Sequence, residues 1–349
     1  MGSQRIIGLV IAIAVIAGGM LFVRSKATNP KTLRVCAWSH YFPDEVLKQF
    51  TAKTGIPVEL SFISSNEELF AKMRAGATGF DIIQPSDYMV RQMTRLDMLA
   101  PLTQASLPNL QHIEEYFKNL SYDPGLKYSV PFNAGTTGIA INTDKVKVPA
   151  DGVSWNMLFN SPNPQHTSLL DDMREVFTGV LLLQGKPINT VDVNVLKAAK
   201  NDIQKVKSKI LMFSSEPLPL LTKEEVYIAH AFSEDAIQAR VSNPKIQYFI
   251  PKEGATHWTD NFAIPKSADH IPEAHVFINY FLDPDQALKM ILDEHLALPN
   301  ATAKSKLPPE VRADTNRFPA GDVLKRLYFL EDIGDTMTVL TRMWTELKS

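Results

Sequence analysis

Cys36 is the single cysteine in 349 residues, which excludes an internal disulfide framework and any zinc site built on cysteine. Neither sign of charge is in excess. The chain sets 36 Lys+Arg against 38 Asp+Glu for a net charge of -2, with an isoelectric point near 6.5. It therefore lacks the basic surface that marks nucleic-acid binders. Its eight histidines are scattered, with no His-Glu-x-x-His or comparable ligand spacing, so neither a metal nor another cofactor is expected. Internal repeats, low-complexity tracts and blocks of like charge are also missing. What is present is 45% hydrophobic and 21% charged residues, an ordinary globular composition at a length that suggests two domains.

Hydrophobicity is concentrated at the start. Residues 6–23 run without a charge between Arg5 and Arg24-Ser25-Lys26-Ala27. A basic start, an apolar stretch and small residues after it describe an export signal. Cleavage after Ala27 and cleavage after Gly19 both fit, and the stretch also reaches the lower limit of an uncleaved membrane anchor. No cysteine lies near its end to carry a bacterial-type lipid anchor. Residues 1–27 hold Arg5, Arg24 and Lys26 and no acid, so their removal lowers the net charge by three from -2, to -5. A mildly acidic body suits cationic ligands.

Beyond the leader, short apolar runs alternate with helical periodicity. Residues 32–38, 57–63 and 81–85 read as strands. A helix opened by Pro43-Asp44-Glu45 stops at Gly55, a second opens on a capping box at Ser65-Asn66-Glu67-Glu68, and a third covers 88–98. This β-α-β-α-β order predicts a parallel, doubly wound sheet. Residues 128–143 read as two extended runs flanking Ala134-Gly135-Thr136-Thr137. A second α/β stretch follows, with strands at 168–170 and 246–251 and a further extended segment at 261–265. Its helices are expected at 173–183, 191–210, around 224–240, at 272–282 and at 285–294. The expected architecture is two α/β lobes with more than one crossing between them, and ligands of such sheets sit at the carboxyl ends of strands.

Those strand ends share a chemistry. The first carries Trp38-Ser39-His40-Tyr41, the third Ser86-Asp87-Tyr88, and the strand at 168–170 ends in Asp171-Asp172 with Glu175 one helical turn on. Phe232-Ser233-Glu234-Asp235 and His257-Trp258-Thr259-Asp260 complete the set. Aromatics recur beside carboxylates and hydroxyls, and no Lys/Arg cluster recurs there. Aromatic faces attract ammonium groups, each contact contributing roughly 0.5–2 kcal/mol, and carboxylates accept charge-assisted hydrogen bonds from them. An organic cation with an alkyl body fits this set. Each feature also has a plain structural role. Single aromatics at strand ends pack cores, Asp172 and Glu175 suit a helix N-terminus, and Glu234 and Asp235 fit a solvated helix face. Asp172 with Glu175 also resembles the carboxylate pair of an exported hydrolase.

Many short blocks in one order give the chain from about Leu33 onward a resemblance to the substrate-binding proteins of spermidine/putrescine ABC importers. They include Trp38-Ser-His-Tyr41, Ser65-Asn66-Glu67, Gly79-Phe80-Asp81 through Pro85-Ser86, Tyr128-Ser-Val-Pro131, Arg174-Glu175-Val176-Phe177, Pro251-Lys-Glu-Gly254 and Phe281-Leu282-Asp283-Pro284-Asp285. The resemblance implies an α/β type II periplasmic-binding protein fold, with two lobes closing over a polyamine. Residues 32–136 plus 260–304 would form lobe 1, and 137–259 plus 305–349 lobe 2. By position, Trp38, Tyr41, Tyr88 and Trp258 would form an aromatic box, with Phe232 in place of a box tryptophan. Ser39 and Ser86 would supply polar contacts, and Asp172, Glu175, Asp260 and Asp235 the ammonium-binding acids. The chain departs from the family at His40, where an acid is usual, at Leu296, the place of a tyrosine, and at Leu330, the place of a polar residue. His40, if it faces the ligand, would weaken binding at acidic pH. The implied role is a monomeric periplasmic receptor serving a membrane permease, with a membrane-tethered polyamine sensor as the alternative.

Overall fold

The computed structural model describes residues 32–39, 41–76 and 79–349. The leader and His40 lie outside the described residues. The first elements follow the expected order: β1 (Leu33–Trp38), α1 (Asp44–Thr54), β2 (Val58–Ile63), α2 (Asn66–Arg74), β3 (Ile82–Ile83) and α3 (Asp87–Arg95). Strand β1 pairs in parallel with both β2 and β3. Gly55 ends α1 in the left-handed region at φ 73°, a conformation open to glycine at little steric cost. Ser65 caps α2 by accepting from the Glu68 amide. Glu68 reaches back to the amide of Ser64 rather than to that of Ser65, so the capping box is displaced by one residue.

The centre of the sheet differs from expectation. Residues 128–143 form one continuous strand, β4 (Ser129–Asn142), buried along its whole length. No turn interrupts it at Gly135, where an added Cβ would sit 2.4 Å from the Trp258 ring. The glycine serves close packing of an aromatic, which a sequence pattern reads as punctuation. Next come β5 (Thr167–Leu170), α4 (Met173–Leu183), α5 (Val193–Lys207) and β6 (Met212–Ser214). The stretch expected to be helical at 224–240 instead divides into β7 (Ile228–Phe232) and α6 (Ser233–Ser242). A short apolar run buried on both faces shows no alternation, so periodicity does not separate it from a helix.

After β8 (Ile246–Phe249), strand β9 (Ala255–Ala263) returns antiparallel to β4, from Ser129 opposite Ala263 to Thr137 opposite Thr256. Helices α7 (Ile271–Phe281) and α8 (Pro284–Asp293), strand β10 (Leu327–Tyr328) and helix α9 (Thr336–Lys348) follow. The strand order is β2-β1-β3-β9-β4-β7-β5-β6, with β10 on β9 and β8 on β4. Strands β4 and β9 therefore belong to both halves. Their register shifts between Pro131 and Asn133.

One side of this frame rests on a cluster of phenylalanines. Phe42 stacks on Phe132 at 5.3 Å and meets Phe281 edge-on at 5.0 Å, while Phe132 and Phe262 lie 4.5 Å apart. Phe42 thereby anchors the loop after β1 and sets its neighbour Tyr41 beside Phe132, at 5.8 Å. Packing of this kind holds a loop in one arrangement.

We expect Gly135→Ala to destabilise the protein by about 1–3 kcal/mol through overpacking against Trp258. Chemical unfolding followed by tryptophan fluorescence reads this directly. An unchanged midpoint would mean that the ring yields without strain.

Candidate ligand-binding site

All eleven residues expected at the site line one cleft. The end of β1 gives Trp38 and Ser39, and the anchored loop gives Tyr41. Ser86 and Tyr88 sit at the start of α3, Asp172 and Glu175 at the start of α4, and Phe232 and Asp235 where β7 becomes α6. Trp258 and Asp260 lie within β9 rather than beyond a strand end. Being two residues apart, they face the same side of the strand. The cleft encloses about 1020 Å³ of space free of protein atoms, open solvent at its mouth included. Leu296 and Leu330 line it as apolar wall, and no Lys or Arg is among its described lining residues.

Asp260 is held from two sides. Tyr41 Oη donates to its Oδ2 at 2.6 Å and Ser86 Oγ to its Oδ1 at 2.5 Å. Asn66 fixes Ser86 through two hydrogen bonds of 2.9 Å. Asn133 Nδ2 donates to Tyr41 Oη at 2.9 Å and to Glu234 Oε2 at 2.5 Å, while its Oδ1 accepts from the Ala297 amide. Ser39 Oγ reaches Glu216 at 3.1 Å. Residues distant in sequence thus form a connected polar network, and such networks fix side-chain direction.

At the other end, Asp172 does cap α4, accepting from the Glu175 amide at 3.0 Å. Glu175 accepts from Thr256 Oγ1 at 2.7 Å. Tyr88 Oη donates to Glu67 at 3.1 Å, and the buried Arg174 guanidinium lies 5.4 Å from the centre of the Tyr88 ring. Arg174 therefore already engages the Tyr88 ring as a cation. Its own donors go to the Glu331 carbonyl and to Asn189. Phe232 stands perpendicular to Trp258 at 5.9 Å, an edge-to-face pair that stiffens the wall.

The cleft holds more acids than the sequence reading assigned. Asp87, Asp171, Glu216 and Glu234 also line it, and Glu67 stands behind Tyr88, accepting a hydrogen bond from its hydroxyl. Glu234 is not a solvated helix residue, because Asn133 and Tyr41 pack against its carboxylate. Its signal in the sequence was its place beside Asp235 at a strand end, where helix periodicity dominated the reading. Asn133 offered none, since nothing distinguishes it from a strand residue until β9 and the loop at Ala297 pack around it.

Burial dominates the electrostatics. It pushes the Asp260 carboxyl up to about 6 against the hydrogen bonds from Ser86 and Tyr41. Burial, then repulsion from Asp172, raises Glu175 to about 8 and Glu67 to about 7. Asp235 rises to about 7 through burial and then Glu216, and buried Asp87 to about 8. Glu234 is driven well above the carboxylate range by burial, then by Asp235 and Asp260. Among the described residues no group of three or more His, Cys, Asp or Glu is disposed to hold a metal ion. No helix among them is long and apolar enough to cross a membrane.

Comparison with known proteins agrees with this geometry. Residues 45–320 match the family described as bacterial extracellular solute-binding protein. The spermidine/putrescine-binding periplasmic protein 1 of Haemophilus influenzae is 34% identical, over 93% of this chain and 91% of its own length. The putrescine-binding periplasmic protein PotF of Escherichia coli is 32% identical over 96% of each. Among solved structures, the spermidine/putrescine ABC transporter substrate-binding protein PotD of Streptococcus pneumoniae superposes with a TM-score of 0.75. It is 31% identical, over 91% of this chain and 98% of that one. With its two-halved α/β sheet and the cleft between, this chain has the type II periplasmic-binding fold and belongs to the bacterial extracellular solute-binding protein family.

Proposed function

We propose that the protein is an exported, non-enzymatic receptor that encloses a polyamine between two lobes and presents it to an ABC permease. The observation that carries this reading is a cleft lined by aromatics and carboxylates with no Lys or Arg among its described lining residues. A cation with an alkyl body supplies what this arrangement lacks. Its methylenes lie against Trp38, Trp258 and Phe232, and its ammonium groups meet Asp172 and Glu175 at one end and Asp235 and Asp260 at the other. Tyr41 and Ser86 orient Asp260, while Tyr88 and Ser39, which donate to Glu67 and Glu216, complete the wall. The names of the relatives point to the same ligand class.

We assign residues 32–136 with 260–304 to lobe 1, and 137–259 with 305–349 to lobe 2. Closure then brings Tyr41 of the first to Glu234 of the second, and Ser39 to Glu216. It also brings acids of both lobes together, which favours an open form in the absence of a cation. The ligand shifts the population by its greater affinity for the closed form.

Screening the full chain by thermal shift against putrescine, cadaverine, spermidine, spermine, amino acids and sugars tests the reading. At 100 times its dissociation constant a ligand adds about 2.7 kcal/mol of apparent stability. Polyamines alone are expected to raise the melting temperature, and a response only to sugars or amino acids would refute the proposal. Asp260→Asn and Trp258→Ala should each weaken binding by about 2 kcal/mol or more, measured by titration calorimetry. Unchanged affinity in both variants would remove these residues from the site.

The raised carboxyls give a pH dependence of definite sign. In the empty cleft they retain protons up to about pH 6 for Asp260, 7 for Glu67 and Asp235 and 8 for Glu175. A cationic ligand favours the ionised forms, so binding expels protons and affinity rises from pH 6 to pH 8. Calorimetry in buffers of different ionisation enthalpy should register the released protons. Equal affinity at both pH values would contradict this account.

A further inference from the structure

A second cavity lies behind the cleft, on the other face of the β4–β9 pair. The alternation along β9 that turns Trp258 and Asp260 toward the cleft turns His257 into this cavity. The loop after α8 divides in the same way, with Leu296 in the cleft wall and Ala297 and Pro299 in the wall of the cavity. The cavity measures about 260 Å³. Tyr116 and Leu324 line it while remaining exposed, so it is reached from solvent.

Its charge is the reverse of the cleft's. Lys304 and Arg317 stand in its wall against one acid, Glu114. Lys304 Nζ lies 3.3 Å from both Glu114 carboxylate oxygens and 4.4 Å from the centre of the Phe318 ring. Arg317 is buried, donates to the Ile291 carbonyl and approaches His295, and no described carboxylate pairs with it. Asp314, the acid whose charge acts on Arg317, is itself bound by Arg240 at 2.5 Å. The wall therefore carries a positive charge without a partner.

His257 supplies an independent observation. It is 6% exposed and packs among the rings of Tyr116, Phe117 and Phe329, yet its imidazole makes no hydrogen bond with any described residue. Burial holds its pKa down at about 4. The ring is thus neutral at pH 7 and presents one N–H donor and one acceptor nitrogen. A buried polar side chain without a partner is costly, and this one faces a space that a ligand can fill.

We propose that this cavity is a second binding site, for a small organic anion with an aromatic body. The anion's carboxylate accepts from Lys304 and from the His257 N–H and offsets the charge of Arg317. Its ring lies against Tyr116, Phe117 and Phe318. None of these residues lines the cleft, so the site stands independently of the polyamine reading.

Titration of the full chain with phenylacetate and with its neutral analogue phenylacetamide, followed by ligand-observed NMR, tests the site. Phenylacetate is expected to bind at least about tenfold more tightly than the amide. Lys304→Gln should weaken phenylacetate about tenfold and alter phenylacetamide less than about threefold, so the preference for the anion collapses. Lys304→Arg, which keeps the charge, should retain most of that preference. Tyr116→Ala, at an exposed position, should weaken both probes alike by about threefold or more. Melting temperatures of the variants separate lost contacts from lost folding. Equal binding of acid and amide, or a preference for the acid that survives Lys304→Gln, overturns the proposal. So does failure of phenylacetate to bind at up to about 10 mM, where a ligand this small should register.

Discussion

Carboxylates facing one another across a confined cleft repel, and the rest of the molecule is arranged around that repulsion. Asp172, Glu175 and Glu67 on one side, and Asp260, Glu234 and Asp235 on the other, are raised in pKa chiefly by burial. Protons relieve the strain in the empty protein, and a cation relieves it better because it also leaves the acids free to accept hydrogen bonds. On the proposed reading, the same groups would confer affinity for a cation and disfavour a closed form without one. Selectivity needs no positive charge in the wall, since an anion entering this field would be repelled.

Holding acids close together requires a stiff backing. Asn66 behind Ser86, Asn133 behind Tyr41 and Glu234, and Thr256 behind Glu175 each fix one carboxylate, directly or through one hydroxyl. The phenylalanines beneath the loop after β1 do the same for Tyr41 by packing. Removing a backing residue is expected to disturb direction more than charge.

Much of this was legible in the sequence, because the elements carrying the site announce themselves locally. Apolar runs, a Ser65 cap, the Gly55 stop and aromatics beside acids at strand ends placed all eleven expected residues in one cleft. The errors share a cause. Gly135 looked like a turn but makes room for Trp258, and the run at 228–232 looked helical but is a strand buried on both faces. In each case the deciding partner lies far away in sequence. Asn133 escaped notice, and Glu234 was read as a helix-face residue, for the same reason, since their roles exist only once β4, α6 and the loop after β1 have met.

The pairing of β4 with β9 also fixes one part of the site in advance. Trp258 and Asp260 share one strand that is hydrogen-bonded to both halves of the sheet. Their mutual distance is therefore a property of the backbone. On the proposed reading, an arriving polyamine would find this half of its contacts already assembled. The shared strand would then serve as the common backbone of the site, around which acids carried by other elements are arranged.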